Sequence, residues 1–434
     1  MGIGTFVDRT ARPSVPGRAK RAGGDLILIA AVIALVIFGL LMLYSASTDF
    51  SLQVYGSSMY MFDKQLVWLA AGTGLAVLFS RLDYHLWQRV AVPLMVLTIL
   101  LLVGVLINSE VRFGAVRTFI GGSAQPSELA KLAIVIYLSV WLYSKRDQLH
   151  DLQLGMIPLG MILGLVCGLT YLEPDLSATL MILLIGGLLF FLAGGDLRQI
   201  VLFLVIALVA GWLVIQISAT GRARMASYIA GLKDPTQANY QILRSLGSIV
   251  NGGWFGVGIG QASTKLTGLP FAATDSIFAV IVEELGLLGA VILIGLYGLF
   301  LWRGLKTSLR APDALGSVMA AGLTFWIVAE AFMNMGVMVG LLPPAGNALP
   351  LISAGGSNMV STLAGIGILI NISRQGVPSR AGGRAQAVAP SPAISQAPAS
   401  GHPAPQTEER RTYRASIDLR RRNRRRREPR SRRA

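Results

Sequence analysis

Asp275 stands in the run LPFAATDS, immediately before a long apolar stretch, so it delivers one carboxylate to the point where a membrane helix would begin. A carboxyl with an ordinary pKa near ~3.9 is ionised at neutral pH and can take a proton from a hydroxyl. The competing reading is a helix N-cap, a frequent task for Asp at that position. Two cations in neighbouring hydrophilic segments, Arg117 and Lys265, suit a phosphate or diphosphate, as do backbone N–H groups left over by irregular chain. Glu128 and Lys131, three apart, share a helix face. They form either an ion pair bracing two helices or the floor of an outward-opening cavity. Gln125 and Ser127 open the same helix, and Ser353, Gly355, Gly356 and Ser357 lie in a turn-rich run after Pro343, Pro344 and Pro350. Irregular backbone at membrane depth must line a cavity or be buried in protein, because lipid offers its N–H and C=O groups no partner. From the residues alone, these segments converge on an outward-facing site for an amphipathic phospho-ligand.

The elements that must position these residues are membrane helices. The 434 residues are 53% hydrophobic and only 14% charged, against about 25% charged in a soluble domain. A water-soluble globule is therefore excluded. Ten apolar stretches, at 26–48, 66–80, 90–107, 128–144, 155–172, 177–193, 199–217, 276–302, 314–341 and 358–373, predict an all-α polytopic protein with about ten transmembrane helices. The first is uncharged and too long for the core of a cleaved signal. Cations concentrate in alternate connections, including Arg81 and Arg89, Lys145 and Arg146, Arg198, and Arg303 to Arg310. By the positive-inside rule both termini are cytoplasmic. The connection 218–275 is the exception: an extracytoplasmic loop that holds Arg222, Arg224, Lys233, Arg244 and Lys265. Binding an anion would account for cations retained there.

Ionisable groups at membrane depth cost ~2.5 to 3.5 kcal/mol each at a helix centre, so Glu283, Glu284 and Glu330 also need partners; for the first two, hydrogen bonds to neighbouring helices are expected. The glycines of NGGWFGVGIG, from Asn251 to Gly260, are not a nucleotide loop, since no strand and crossover unit surrounds them. They predict a tight backbone that another group can approach closely. Cys167 is the only cysteine and His85, His150 and His402 the only histidines, which excludes an internal disulfide and a Cys/His zinc site.

The chain divides into a cytoplasmic segment 1–24, a transmembrane domain 25–374 and a tail 375–434. The tail opens with a Pro/Ala-rich linker too poor in large apolar side chains to fold. From Arg374 onward, sixteen arginines against four acidic residues hold +12 of the chain's +16 net charge. Beside a membrane domain, that basic tail is expected to lie on anionic inner-leaflet lipid, gaining about 1 kcal/mol per cation near the surface. A protein contact is the alternative, and nucleic acid is not expected.

Beyond this physical reading, the chain resembles the SEDS family of polytopic membrane proteins (shape, elongation, division and sporulation). The motifs run from Asp25 to Arg374. They include LMLYSAS, QPSELAKLA at Gln125 to Ala133, EPDLS at Glu173 to Ser177, GGWFGVGIG, the LP and TD of Leu269 to Asp275, FAVIVEELGLLG, GLLP and LPLISAGGS. FAVI, GVGIG and INIS are more similar to the FtsW branch than to the RodA branch. The resemblance implies a glycosyltransferase that polymerises lipid II outside the cytoplasmic membrane at the division septum. It would work with a class B penicillin-binding protein and other division proteins, and a divalent cation such as Mg2+ could assist. It implies Asp275 as catalytic carboxylate, Arg117 and Lys265 as substrate contacts, and Glu128 with Lys131 as the membrane ion pair. Family positions differ at Phe271, Ala273, Ser276, Phe119, Ala345, Ala348 and Ala354. Two further classes compete: a lipid II transporter, which an inverted internal repeat would favour and for which none is seen, and a non-catalytic scaffold that recruits cell-wall synthases.

Overall fold

The structure is a computed structural model, and it describes residues 24–108, 125–149, 151–217 and 219–376. Arg117, the N-terminal segment up to residue 23 and the tail from residue 377 lie outside the described residues. All regular structure among the described residues is helical. In chain order the helices are α1 (Leu26–Tyr55), α2 (Tyr60–Arg81), α3 (Trp87–Asn108), α4 (Pro126–Lys145), α5 (Ile157–Leu172) and α6 (Leu176–Leu192). They continue with α7 (Leu197–Ile217), α8 (Ala219–Lys233), α9 (Tyr240–Gly252), α10 (Ile277–Arg310), α11 (Ala314–Met338) and α12 (Gly356–Gln375).

Every apolar stretch of the sequence falls on one of the helices α1 to α7 and α10 to α12. The helical segments of α1, α3, α4, α5, α10, α11 and α12 are each long and apolar enough to cross a membrane. This is a multi-pass membrane fold. Helix α2 begins six residues before its apolar stretch, because its first turns carry Asp63, Lys64 and Gln65. The ends follow local chemistry. Asp25 caps α1 by accepting from the Leu28 N–H at 3.1 Å, and Gly56 ends it in the left-handed region at φ 72°. Asp175 and Asp313 cap α6 and α11 in the same way.

Helices α4, α10, α11 and α12 supply the buried interior, whereas α3 and α5 turn apolar residues such as Val92, Leu100, Met161 and Leu165 outward, as lipid contact requires. Trp326 of α11, Leu323 and Leu132 of α4 close around Gly365 of α12. Small residues bring α2 and α12 together: Gly72 lies against Leu363 and Val360, and Gly367 against the Ala76 backbone. Without a hydrophobic force between helices in lipid, such close approach is what packing energy depends on.

The connection expected as a loop at 218–275 contains two helices. Helix α9 buries Ile242, Ser245 and Ser248 and packs on α10 and α11. The glycine-rich segment after it serves α10 itself. Gly286 (φ 71°, ψ −169°) interrupts α10 and frees its backbone groups. Val257 and Gly258 then donate to the carbonyls of Glu283 and Glu284 at 3.0 Å, while Leu287 and Leu288 donate to Gly253 and Trp254 at 2.9 and 3.2 Å. A methyl group at Gly256 would collide with the Glu284 carbonyl, so glycine is required where these two backbones touch.

Candidate active site

Asp275 ends the segment between α9 and α10, and three consecutive carbonyls of that segment are held from the opposite side of the bundle. Ala273 O accepts from the Ala354 N–H at 2.9 Å, Thr274 O from the Ser353 hydroxyl at 2.7 Å, and Asp275 O from the Asn334 side-chain amide at 2.8 Å. The N-cap of α10 is Ser276, not Asp275. The Ser276 hydroxyl donates to Pro270 O at 2.7 Å and accepts from Gln241 at 2.9 Å. Asp275 itself is half-buried and lines a cavity of about 370 Å³. Ala273 and Ala354, both departures from the SEDS pattern, meet across a main-chain bond.

Four helices begin at this cavity and place its wall residues: α2 (Tyr60, Lys64, Gln65, Trp68), α4 (Gln125, Glu128, Lys131), α6 (Asp175, Ser177) and α12 (Gly356, Ser357, Asn358). Deepest in polarity is a buried cluster. The Lys131 ammonium lies 2.7 Å from Glu128 and 2.6 Å from Glu330, and Asn358 donates to the same two carboxylates at 2.9 and 3.0 Å. Trp326 donates to the other Glu330 oxygen at 2.8 Å. The two readings of Glu128 and Lys131, brace and cavity floor, are thus one arrangement: the pair joins α4 to α11 and α12, and both side chains face the cavity. Such a cluster survives burial because each charge keeps an opposite charge and further hydrogen bonds.

Of the residues singled out in the sequence, Gln125, Glu128, Lys131, Asp275, Gly355, Gly356 and Ser357 line the cavity. Ser127 stands behind it, donating to Asp175 at 2.9 Å beside the 2.8 Å bond from Gln125. Ser353 is buried and acts on the Asp275 segment as described. Lys265 is set apart. Its ammonium pairs with Glu284 at 3.1 Å and donates to the Ser45 and Gly260 carbonyls at 3.1 and 3.0 Å. It is absent from the cavity wall. Its side chain is 5% exposed, so burial and this pairing give a cation in the 218–275 connection a structural role. Glu284 meets a neighbouring helix as expected, accepting from the Ser45 hydroxyl of α1 at 2.6 Å, whereas Glu283 accepts from the Ser263 and Thr264 N–H groups at 3.1 and 3.3 Å and from the Thr264 hydroxyl, partners in the non-helical segment before α10 instead of on a helix.

Asp175, Lys64, Asn347, Asn358 and the aromatics of α2 are cavity residues that sequence reasoning passed over as site residues. Polar residues at the starts of apolar helices were the available signal. Among described wall residues, four carboxylates (Glu128, Asp175, Asp275, Glu330) face two ammonium groups (Lys64, Lys131). No group of three or more His, Cys, Asp or Glu among the described residues is placed to hold a metal ion.

Comparison with known proteins gives this architecture a relationship. Residues 25–377 match the family model described as "Cell cycle protein" that unites FtsW, RodA and SpoVE. A probable peptidoglycan glycosyltransferase FtsW from Trichlorobacter lovleyi is 35% identical over 357 residues, covering 80% of this chain and 93% of the relative. Stage V sporulation protein E of Bacillus subtilis is 35% identical over 364 residues, covering 82% and 98%. Among solved structures, a chain from a peptidoglycan synthase complex, described for its coordination of polymerization and crosslinking, superposes with TM-score 0.68 at 29% identity over 81% of this chain and 98% of that one. The rod shape determining protein RodA of Thermus thermophilus gives TM-score 0.61 at 27% identity over 82% and 98%. With a family model spanning most of its length and relatives above 30% identity over four-fifths of it, this multi-pass membrane chain belongs to the FtsW/RodA/SpoVE family of cell cycle proteins.

Proposed function

We propose that this chain is a peptidoglycan glycosyltransferase of cell division that polymerises lipid II into β-1,4-linked glycan on the outer face of the cytoplasmic membrane. The observation that carries the reading is the placement of Asp275: a carboxylate on the wall of a polar cavity, with its own carbonyl and the two before it held by hydrogen bonds. The glycosyltransferase names of the FtsW relatives support it.

In the reaction, the Asp275 carboxylate takes the proton from the 4-hydroxyl of the acceptor GlcNAc. That oxygen bonds to C1 of the donor MurNAc, the bond from C1 to the diphosphate oxygen breaks, and undecaprenyl diphosphate leaves, inverting C1. One base suffices, because the diphosphate carries off the electron pair. Positioning supplies much of the acceleration, since oriented reactants gain ~7 to 11 kcal/mol. Arg117 would meet the developing charge on the diphosphate. A divalent cation such as Mg2+ could share in neutralising the diphosphate.

The partner reading is a class B penicillin-binding protein, alongside other division proteins; the likeness to a chain of a peptidoglycan synthase complex supports it. Both termini are assigned to the cytoplasm and the protein to the septum, with the Arg-rich tail on anionic lipid. The test is glycan-chain assay of the purified protein with its partner and lipid II. Polymer from the parental chain and none from Asp275→Asn supports the base assignment, and an unchanged rate in the variant overturns it.

A further inference from the structure

Helix α2 sends three side chains to the cavity at a spacing of four, Tyr60, Lys64 and Trp68. Residues four apart stack on one helix face and climb about 6 Å per step. This face is held firmly. Gln65, one position on, donates to the Ser353 carbonyl at 3.2 Å and accepts from the Gly355 N–H at 3.3 Å, and Trp68 packs on Gly356. Lys131, the other cation of the described wall, is consumed by Glu128 and Glu330. Lys64 is half-buried, and no ion pair or hydrogen bond among the described residues holds its ammonium. One turn nearer the helix start, the Tyr60 ring stacks on Tyr55 across the α1–α2 turn, with centroids 4.2 Å apart and planes 23° from parallel. Both tyrosines line the cavity and keep about half their surface open, at 43% and 50%.

An unpartnered ammonium one helical turn from an open aromatic pair matches a sugar diphosphate, in which anionic oxygens adjoin a ring with an apolar face. We propose that the cavity face of α2 is a substrate subsite, with Lys64 pairing the diphosphate of a polyprenyl-linked sugar and the Tyr55–Tyr60 pair packing on the sugar ring. The assignment rests on the glycosyltransferase reading above and gives the diphosphate a partner that Lys265, bound to Glu284, does not provide. The order along α2 also fits a lipid-linked ligand. Trp68 offers apolar surface below Lys64 for the first prenyl units, and the tyrosines stand above it.

The experiment uses the full chain in nanodiscs with undecaprenyl diphosphate and undecaprenol as binding probes, and lipid II polymerisation with the partner as the kinetic readout. Lys64→Ala is expected to weaken undecaprenyl diphosphate about tenfold, leave undecaprenol unchanged, and raise KM for lipid II with a much smaller effect on kcat. Lys64→Arg restores most of the affinity. Tyr60→Ala raises KM for lipid II without weakening undecaprenyl diphosphate, and Tyr60→Phe, which keeps the ring, recovers most of that loss. Among the described residues Lys64 has no structural partner to strand, so size-exclusion profiles should match the parent throughout. If the parent polymerises lipid II and Lys64→Ala binds undecaprenyl diphosphate as tightly as the parent, the subsite is overturned while the enzyme reading stands. If the parent makes no polymer yet Lys64→Ala still loses undecaprenyl diphosphate, the enzyme reading fails and the diphosphate contact stands.

Discussion

The side-chain amide of Asn334 on α11 donates at 2.8 Å to the carbonyl of Asp275 and at 2.7 Å to that of Asn347, so one buried residue ties the Asp275 segment to the irregular chain before α12. Asn334→Ala leaves both carbonyls without this donor. Because a displacement of about 1 Å at a reacting group can cost ~10²-fold in rate, kcat for lipid II polymerisation should fall by about that factor with KM little changed. Steady-state kinetics of purified variant and parent check it.

Removing the cation from the buried cluster should destabilise the protein. Lys131→Met leaves Glu128 and Glu330 as neighbouring carboxylates without their counter-charge, and breaking a buried pair in this way costs about 3 to 5 kcal/mol. The thermal midpoint in detergent should drop. Lys131→Met with Glu330→Gln should recover part of the loss, since one uncompensated charge is then gone.

Lys265 separates a structural role from substrate binding. Lys265→Met strands the buried Glu284 and should lower both the thermal midpoint and polymerisation. In Lys265→Met with Glu284→Gln, stability and KM should return together. A KM that stays raised once stability is restored would mean that Lys265 contacts substrate directly.

Asp83, in the turn between α2 and α3, gives the acid limb of stability a local source. Partial burial pushes its carboxyl up, but the His85 N–H and ring, hydrogen-bonded to it at 3.0 and 2.7 Å, outweigh that and hold it below its ordinary value. A carboxyl lowered in the folded state stabilises at pH above its unfolded pKa, near ~3.9, and this contribution disappears as pH falls through the folded value. The thermal midpoint should therefore decline below about pH 4 by less in Asp83→Asn than in the parent. Equal declines would show that the interaction adds nothing.

The sequence by itself determined the helical class and the location of the membrane helices. Burying a backbone in lipid forces long uninterrupted apolar runs, and such runs are visible without knowing what they touch. It also marked Asp275, Glu128 and Lys131, because a charge beside or within an apolar run is conspicuous. Only the tertiary structure decided who partners whom. Lys265 looked available for a ligand until Glu284 and Ser45, from two other parts of the chain, were seen around it. Lys64, in the first turns of α2, is tied to a ligand site only by the cavity wall that forms around it. The glycines of the Asn251–Gly260 segment showed that a backbone would come close, yet that this backbone belongs to the break in α10 depends on Gly286, some 26 to 35 positions later. Charge pairing and close backbone contact act over a few ångströms in space but over tens to hundreds of residues in sequence, and the folded chain alone makes those two distances meet.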